Sequence, residues 1–380
     1  MANKNSHPLV SYQPFRLLFQ LASVGTIVVR LPFWAAIALI RPLRPHPKWT
    51  AKQTFTVHLM HAIIGMSSRI SITLPLSIEG GKEGDRFQVI KPRSPDRYIG
   101  PLESNDVKPA TVGGTWYPDV PAADIASKLV VLYLHGGAFV LGDGRPGETG
   151  FATKSWLEHG GADAVFALQY RLAGYSNRDP FPAALQDTLT SYLFLLEDLQ
   201  IPARQIVVSG DSAGGNLAIA LLRYLHEFGA ELGIPVPRCA ALVSPWVTPL
   251  TYDALPRTPN WRTDWVPTAF LKWGANAYAG RFAANPKSEY HPYITPLGNP
   301  FPAPVPIFVN AGAAEVFAPD IARWAEEMGE QEEEEEGGNV VELHYEEAAC
   351  HDTLMLGNAF GFEESAWGVA AKMGEFVRRY

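Results

Sequence analysis

Past residue 85 the chain alternates short, continuous apolar runs with longer stretches in which apolar residues recur every three or four positions. Continuous runs suit strands buried on both faces, and the longer period suits helices packed along one side. The alternation therefore predicts an α/β fold, a mostly parallel eight-stranded sheet with helices on both faces. Strands are expected at 87–90, 111–117, 129–134, 164–168, 205–209, 239–243, 305–310 and 340–344, and helices at 149–159, 182–199, 213–228, 319–329 and 363–379. Residues 244–304 break the rhythm with many prolines and with Trp246, Trp261, Trp265, Phe270 and Trp273, and read as an insertion.

The N-terminal pattern is different. Residues 17–40 are almost entirely apolar, but Gln20, Arg30 and Pro32 interrupt them. An arginine near the middle of a span costs a few kcal/mol, which argues against a single clean transmembrane helix. A membrane anchor or interfacial helix, buried cap helices and a signal peptide remain as readings. Trp34 and the following Arg41, Arg44 and Lys48 suit a membrane boundary, whereas no small-residue cleavage site precedes those basic residues.

Charge changes the picture only locally. The net charge of -8 equals the contribution of Glu326, Glu327, Glu330 and Glu332 to Glu336, a stretch that reads as a solvated loop. Elsewhere the signs balance, so no basic field is available for nucleic acid. With two cysteines, Cys239 and Cys350, and no Asn-x-Ser/Thr acceptor, the composition leans intracellular, either cytoplasmic or membrane-associated. His58 and His61 lack a third ligand nearby and read as a structural pair; neither a metal nor a cofactor is implied.

The chemistry is carried by small motifs that follow strands. Gly210-Asp211-Ser212-Ala213-Gly214 joins a strand to a helix, the context in which a strained turn holds a serine hydroxyl out at the C-terminal edge of a sheet. The same turn points the Ala213 N–H at any oxyanion formed on Ser212. His135-Gly136-Gly137-Ala138-Phe139 follows another strand and brings glycine backbone to the same edge. Serine also needs a general base and a carboxylate to orient it, in the chain order Ser, acid, His. Glu315 lies just past strand 305–310 and His351 just past strand 340–344. Asp320, a first-turn helix residue, is the competing acid, and His344, within its strand, the competing base. Asp352 and Cys350 flank His351 and are given no catalytic role.

Over residues 110–375 the chain resembles the hormone-sensitive lipase group of the α/β-hydrolase superfamily, which includes arylacetamide deacetylase-like proteins and many microbial carboxylesterases. The resemblance rests on Tyr133 to Phe139, Tyr170-Arg171-Leu172-Ala173, Pro180 to Ala184 with Asp187, Gly210 to Gly215, Ser244-Pro245-Trp246, and the positions of Glu315 and His351. It implies an α/β-hydrolase fold and a serine carboxylester hydrolase acting on a small-molecule ester through Ser212, Glu315 and His351. The oxyanion hole is implied in the segment His135, Gly136, Gly137, Ala138 and at Ala213, with N–H groups from Gly137, Ala138 and Ala213. Two departures stand out. Alanine occupies position 138, where the family usually has a third glycine, and glutamate replaces the commoner aspartate, as in fungal-type members. The family's cap corresponds to residues 1–85 and about 247–300, leaving 86–380 as the hydrolase domain. Within the cap, Trp261, Trp265, Phe270 and Trp273 are candidates either to line an acyl pocket or to hold the cap on the core. An amide or lactone hydrolase, an acyltransferase, or a ligand-binding member without catalysis are the alternatives.

Overall fold

Proline punctuation sets where the central strands begin. Pro304 and Pro306 have no N–H to give a ladder, so the strand expected at 305–310 starts at Ile307. In the computed structural model, which describes residues 7–174, 178–280, 288–331 and 338–380 without the side chains of 253–255, the strands are β1 (Phe87–Ile90), β2 (Val112–Tyr117), β3 (Val130–Leu134), β4 (Ala164–Gln169), β5 (Ile206–Asp211), β6 (Cys239–Val243), β7 (Ile307–Gly312) and β8 (Val341–Glu346). They form one eight-stranded sheet in the order β1-β2-β4-β3-β5-β6-β7-β8. β1 and β2 pair antiparallel, as do β2 and β4; all other pairs are parallel. The acidic run at 332–336 lies outside the described residues.

The helices are α1 (Phe15–Leu39), α2 (Ala51–Ile70), α3 (Pro146–Ser155), α4 (Ala183–Leu193), α5 (Ala213–Leu232), α6 (Thr268–Ala279), α7 (His291–Ile294), α8 (Ala318–Gly329), α9 (Thr353–Phe360) and α10 (Glu363–Arg379). Alternate residues of each strand enter two separate apolar clusters. Val130, Leu132 and Leu134 pack with α4, α5 and α8, while Val131 and Tyr133 pack with α3 and α10. Both faces are thus buried, as the unbroken apolar runs anticipate.

The N-terminal region is helical throughout its apolar part. Despite Pro32, α1 is one continuous helix, because proline withholds only a single N–H from the Val28 carbonyl in 25 residues. It is long and apolar enough to cross a membrane by length and composition, and only 11% of its most apolar window is buried. Of its residues only Trp34 and Ala38 are buried, so the reading of 17–40 as buried cap helices does not describe α1. α2 begins at a Thr50/Gln53 capping box and packs between α1 and α6.

Candidate active site

Parallel strands in register bring their C-terminal ends to one rim. Leu134 pairs with Gly210, Asp211 with Val243, Val243 with Asn310 and Asn310 with His344. The residues that follow β3, β5, β7 and β8 therefore emerge side by side.

After β5 the chain turns at Ser212, which sits at φ 49°, ψ -114° before entering α5. Positive φ in a non-glycine residue is strained, and this turn is held by its neighbours. Ser212 N–H donates to the Val243 carbonyl (3.0 Å), and its carbonyl accepts from Trp246 N–H (2.9 Å). Glycine is required on both sides: a Cβ at Gly210 would strike the Gly214 carbonyl, and one at Gly214 would strike the Leu134 carbonyl. His351 Nε2 lies 2.9 Å from Ser212 Oγ, and His351 Nδ1 lies 3.0 Å from Glu315 Oε2. Glu315 is fully buried, His351 is 2% exposed and Ser212 7%. The two competitors are elsewhere. Asp320 accepts from the Thr248 hydroxyl (2.9 Å), and His344 pairs with Asn310 (2.8 Å).

The loop after β3 runs through three successive left-handed residues, Gly137 (φ 104°), Ala138 (51°) and Phe139 (63°). The Ala138 methyl and carbonyl press on Gly274 of α6, where a Cβ would strike both, so the glycine missing from the loop is matched by one in the facing helix. No described residue accepts a hydrogen bond from the N–H of Gly137, Ala138 or Ala213. Gly136 and His135 do different work. Gly136 N–H turns toward the Asp211 carboxylate. The His135 ring is buried, stacks on Tyr170 (4.2 Å) and is pushed down to about 4 by burial. Tyr170 hydroxyl in turn donates to the His135 carbonyl (2.8 Å), and Ala173 N–H to the Phe139 carbonyl (2.8 Å), so the Tyr170–Ala173 strap shapes the loop.

Three supports were not legible in the sequence as such. Asp264, 3% exposed and inside the insertion, accepts N–H bonds from Trp265 (2.7 Å), Val316 (2.7 Å) and His351 (3.3 Å). One carboxylate thereby ties the segment after Glu315 to the histidine loop. Beneath the serine, the Asp352 and Asp211 carboxyls hydrogen-bond each other, and Tyr133 hydroxyl donates to Asp211. Burial raises both acids, Asp352 well above the usual range, so Asp352 keeps the proton and donates it. Ser244 lies between them and the acid: its hydroxyl oxygen accepts from Asp352 N–H (3.2 Å) and its O–H opposes the burial-driven rise at Glu315. An aspartate before the serine and another after the histidine were the available signal.

Of the insertion aromatics, Trp265 donates its indole N–H to the His351 carbonyl (2.8 Å) and is buried with Phe270 and Trp273. Trp261 packs edge-on against His61 of α2 (5.5 Å). His58 Nδ1 lies 2.7 Å from the Thr54 carbonyl.

Burial pushes Asp264 up to about 6, Glu346 to about 7 and Glu315 to about 8. A carboxyl whose folded pKa lies above its unfolded value holds its proton more tightly in the folded chain. Its stabilisation is complete below the unfolded pKa and is lost as pH rises through the folded one. Buried histidines such as His135, lowered to about 4, add stability as pH rises to about 6.5, so the net fall in thermal midpoint is expected above that point, between about pH 6.5 and about pH 8, which thermal unfolding in a pH series measures. A midpoint that climbs over that interval contradicts the raised values.

Residues 131–355, well over half of the chain, match the family described as alpha/beta hydrolase fold. The chain belongs to that family, and its relatives put it with the hormone-sensitive-lipase-like group. It is 34% identical over 190 residues to an acetyl-hydrolase of Streptomyces hygroscopicus, an alignment covering 50% of this chain and 58% of that protein. It is 31% identical over 159 residues to hormone-sensitive lipase of Mus musculus, covering 40% of this chain and 19% of the lipase. The chain thus spans less than two thirds of the length of either relative. The crystal structure of an esterase from the bacterial hormone-sensitive lipase family superposes with a TM-score of 0.56 over 92% of this chain and 97% of that one, at 23% identity.

Proposed function

We propose that the protein is a serine carboxylester hydrolase acting on an apolar ester. The observation that carries this reading is the unbroken line from Ser212 Oγ through His351 to Glu315, at 2.9 and 3.0 Å, beside three backbone N–H groups without acceptors. Relatives named acetyl-hydrolase and hormone-sensitive lipase support it. His351 Nε2 takes the Ser212 proton as Oγ attacks the ester carbonyl. Negative charge gathers on the carbonyl oxygen, where the N–H groups of Gly137, Ala138 and Ala213 meet it. The C–O bond to the alcohol then breaks, and His351 returns the proton to the departing alkoxide. Water, deprotonated by His351, releases the carboxylic acid from the acyl-Ser212.

The described parts of residues 1–85 and of about 247–300 form the cap over this centre, and Trp265, Phe270 and Trp273 anchor it. Trp265 does so directly, through its bond to the His351 carbonyl. Its glutamate acid is similar to that of fungal-type members of the group, which also includes arylacetamide deacetylase-like proteins. α1 lies at a membrane, its exposed Leu17, Leu18, Leu21, Val24, Val28, Val29 and Phe33 against acyl chains.

A fluorophosphonate probe is expected to label the protein covalently at Ser212, with hydrolysis of p-nitrophenyl esters read across acyl length. Addition of competing alcohols then separates hydrolysis from acyl transfer. An unlabelled protein would mark an inert binder and end the esterase reading.

A further inference from the structure

α1 is built inside out. Arg16, Gln20, Ser23, Ile27, Arg30 and Trp34 follow one another at spacings of four and three residues and line the two cavities beneath the helix, while its outward residues are apolar. Val29 is 79% and Phe33 66% exposed. The larger cavity, about 790 Å³, lies between α1, α2 and the segment around Trp261.

Its walls carry strongly one-sided charge. Arg30, Arg69, Arg262, His58 and His61 line it, and no ion pair engages Arg30, Arg69 or Arg262 among the described residues. The single carboxylate in the lining, Asp264, already accepts three backbone N–H bonds. The His61 imidazole is held below its ordinary value, chiefly by burial and further by the Arg69 guanidinium, although it donates to the Asp264 carbonyl. Arg30, Arg69 and Arg262 are exposed along the wall of the cavity, where a bound anion would meet several cations that no described carboxylate pairs. Between these groups run apolar surfaces from Trp34, Ile37 and Val57.

We propose that this cavity binds the oxyanion head group of an acyl lipid. Arg30 and Arg69 hold the anion, and the chains lie along Trp34 and out past α1. The proposal uses the membrane placement of α1 for the lipid's tail. Asp264, which accepts the His351 N–H, is among the residues lining the cavity, so the lipid sits one residue away from the catalytic loop.

Trp34 (6.1 Å from His58) and Trp261 (5.5 Å from His61) are built-in reporters. The full chain in neutral detergent is titrated by tryptophan fluorescence with a short-chain dialkyl ether phosphatidate, which no esterase can cleave. The matching ether phosphatidylcholine and inorganic phosphate are titrated in parallel. Phosphatidate is expected to bind about tenfold or more tightly than either, since phosphatidylcholine lacks the net negative charge that strengthens hydrogen bonds from arginine and inorganic phosphate lacks the chains that cover apolar surface. Arg30→Gln and Arg69→Gln should each lose most of this margin, whereas Arg41→Gln, outside the cavity, should keep it. Equal affinity for all three ligands, phosphate binding as tightly as phosphatidate, or an undiminished margin in the Arg30→Gln/Arg69→Gln double variant would overturn the site. Partition of the protein into phosphatidylcholine vesicles tests the placement of α1 separately, and its failure leaves the detergent titration standing.

Discussion

Ser212→Ala is expected to lower kcat on a chromogenic short-chain ester by about 10⁶-fold, the scale of loss when the nucleophile of a serine hydrolase is removed. The physical reason lies in what the hydroxyl alone supplies. Its oxygen sits 2.9 Å from His351 Nε2, at the head of α5, and among the described residues no other hydroxyl is hydrogen-bonded to that nitrogen. Alanine fills the same strained turn with the same backbone bonds to Val243 and Trp246, so the fold should survive. A circular dichroism melt alongside the assay separates lost chemistry from lost structure. Wild-type turnover in a folded Ser212→Ala protein would show that the ester is opened elsewhere.

The centre of the fold could be read from the chain because its demands are local. A strand buried on both faces must be apolar throughout, and a serine in a strained strand-to-helix turn must be flanked by glycine. Hence β3, β5, Gly210 and Gly214 announce themselves. The acid and base follow from strand order, since whatever comes directly after β7 and β8 lands at the rim beside Ser212. What escaped the reading depends on tertiary approach. Asp264 reaches the His351 N–H across 87 positions, from a proline- and tryptophan-rich insertion with no period to interpret. Gly274 appears unremarkable until Ala138 is seen against it. The orientation of α1 was half visible: Arg16, Gln20, Ser23 and Arg30 share a helical stripe, but only the packed structure turns that stripe toward the protein and leaves the apolar side outward.

Glu315→Gln is the next largest expected effect, a fall in kcat of about 10⁴-fold, as when a triad carboxylate becomes an amide. Size and hydrogen-bonding reach are retained, so the loss measures charge and tautomer. The carboxylate accepts from His351 Nδ1–H at 3.0 Å, which leaves Nε2 free as a base toward Ser212. An amide N–H at the same place donates to Nδ1 instead, which puts the imidazole proton on Nε2, where it can take nothing from serine. The pH dependence adds a second readout. Burial raises Glu315 to about 8 and lowers His351, so the pair must shed its shared proton before the base is competent. Wild-type kcat/KM should therefore climb with pH through the neutral range toward about 8. With glutamine the residual rate has only the depressed imidazole to follow, and its acid limb moves to lower pH. Asp320→Asn is the matched control, because its carboxylate serves Thr248 and Arg323 and should leave kcat unchanged. If Asp320→Asn rather than Glu315→Gln abolished turnover, the carboxylate behind His351 in solution would be the one in the first turn of α8, and the distances around Glu315 would describe an inactive arrangement.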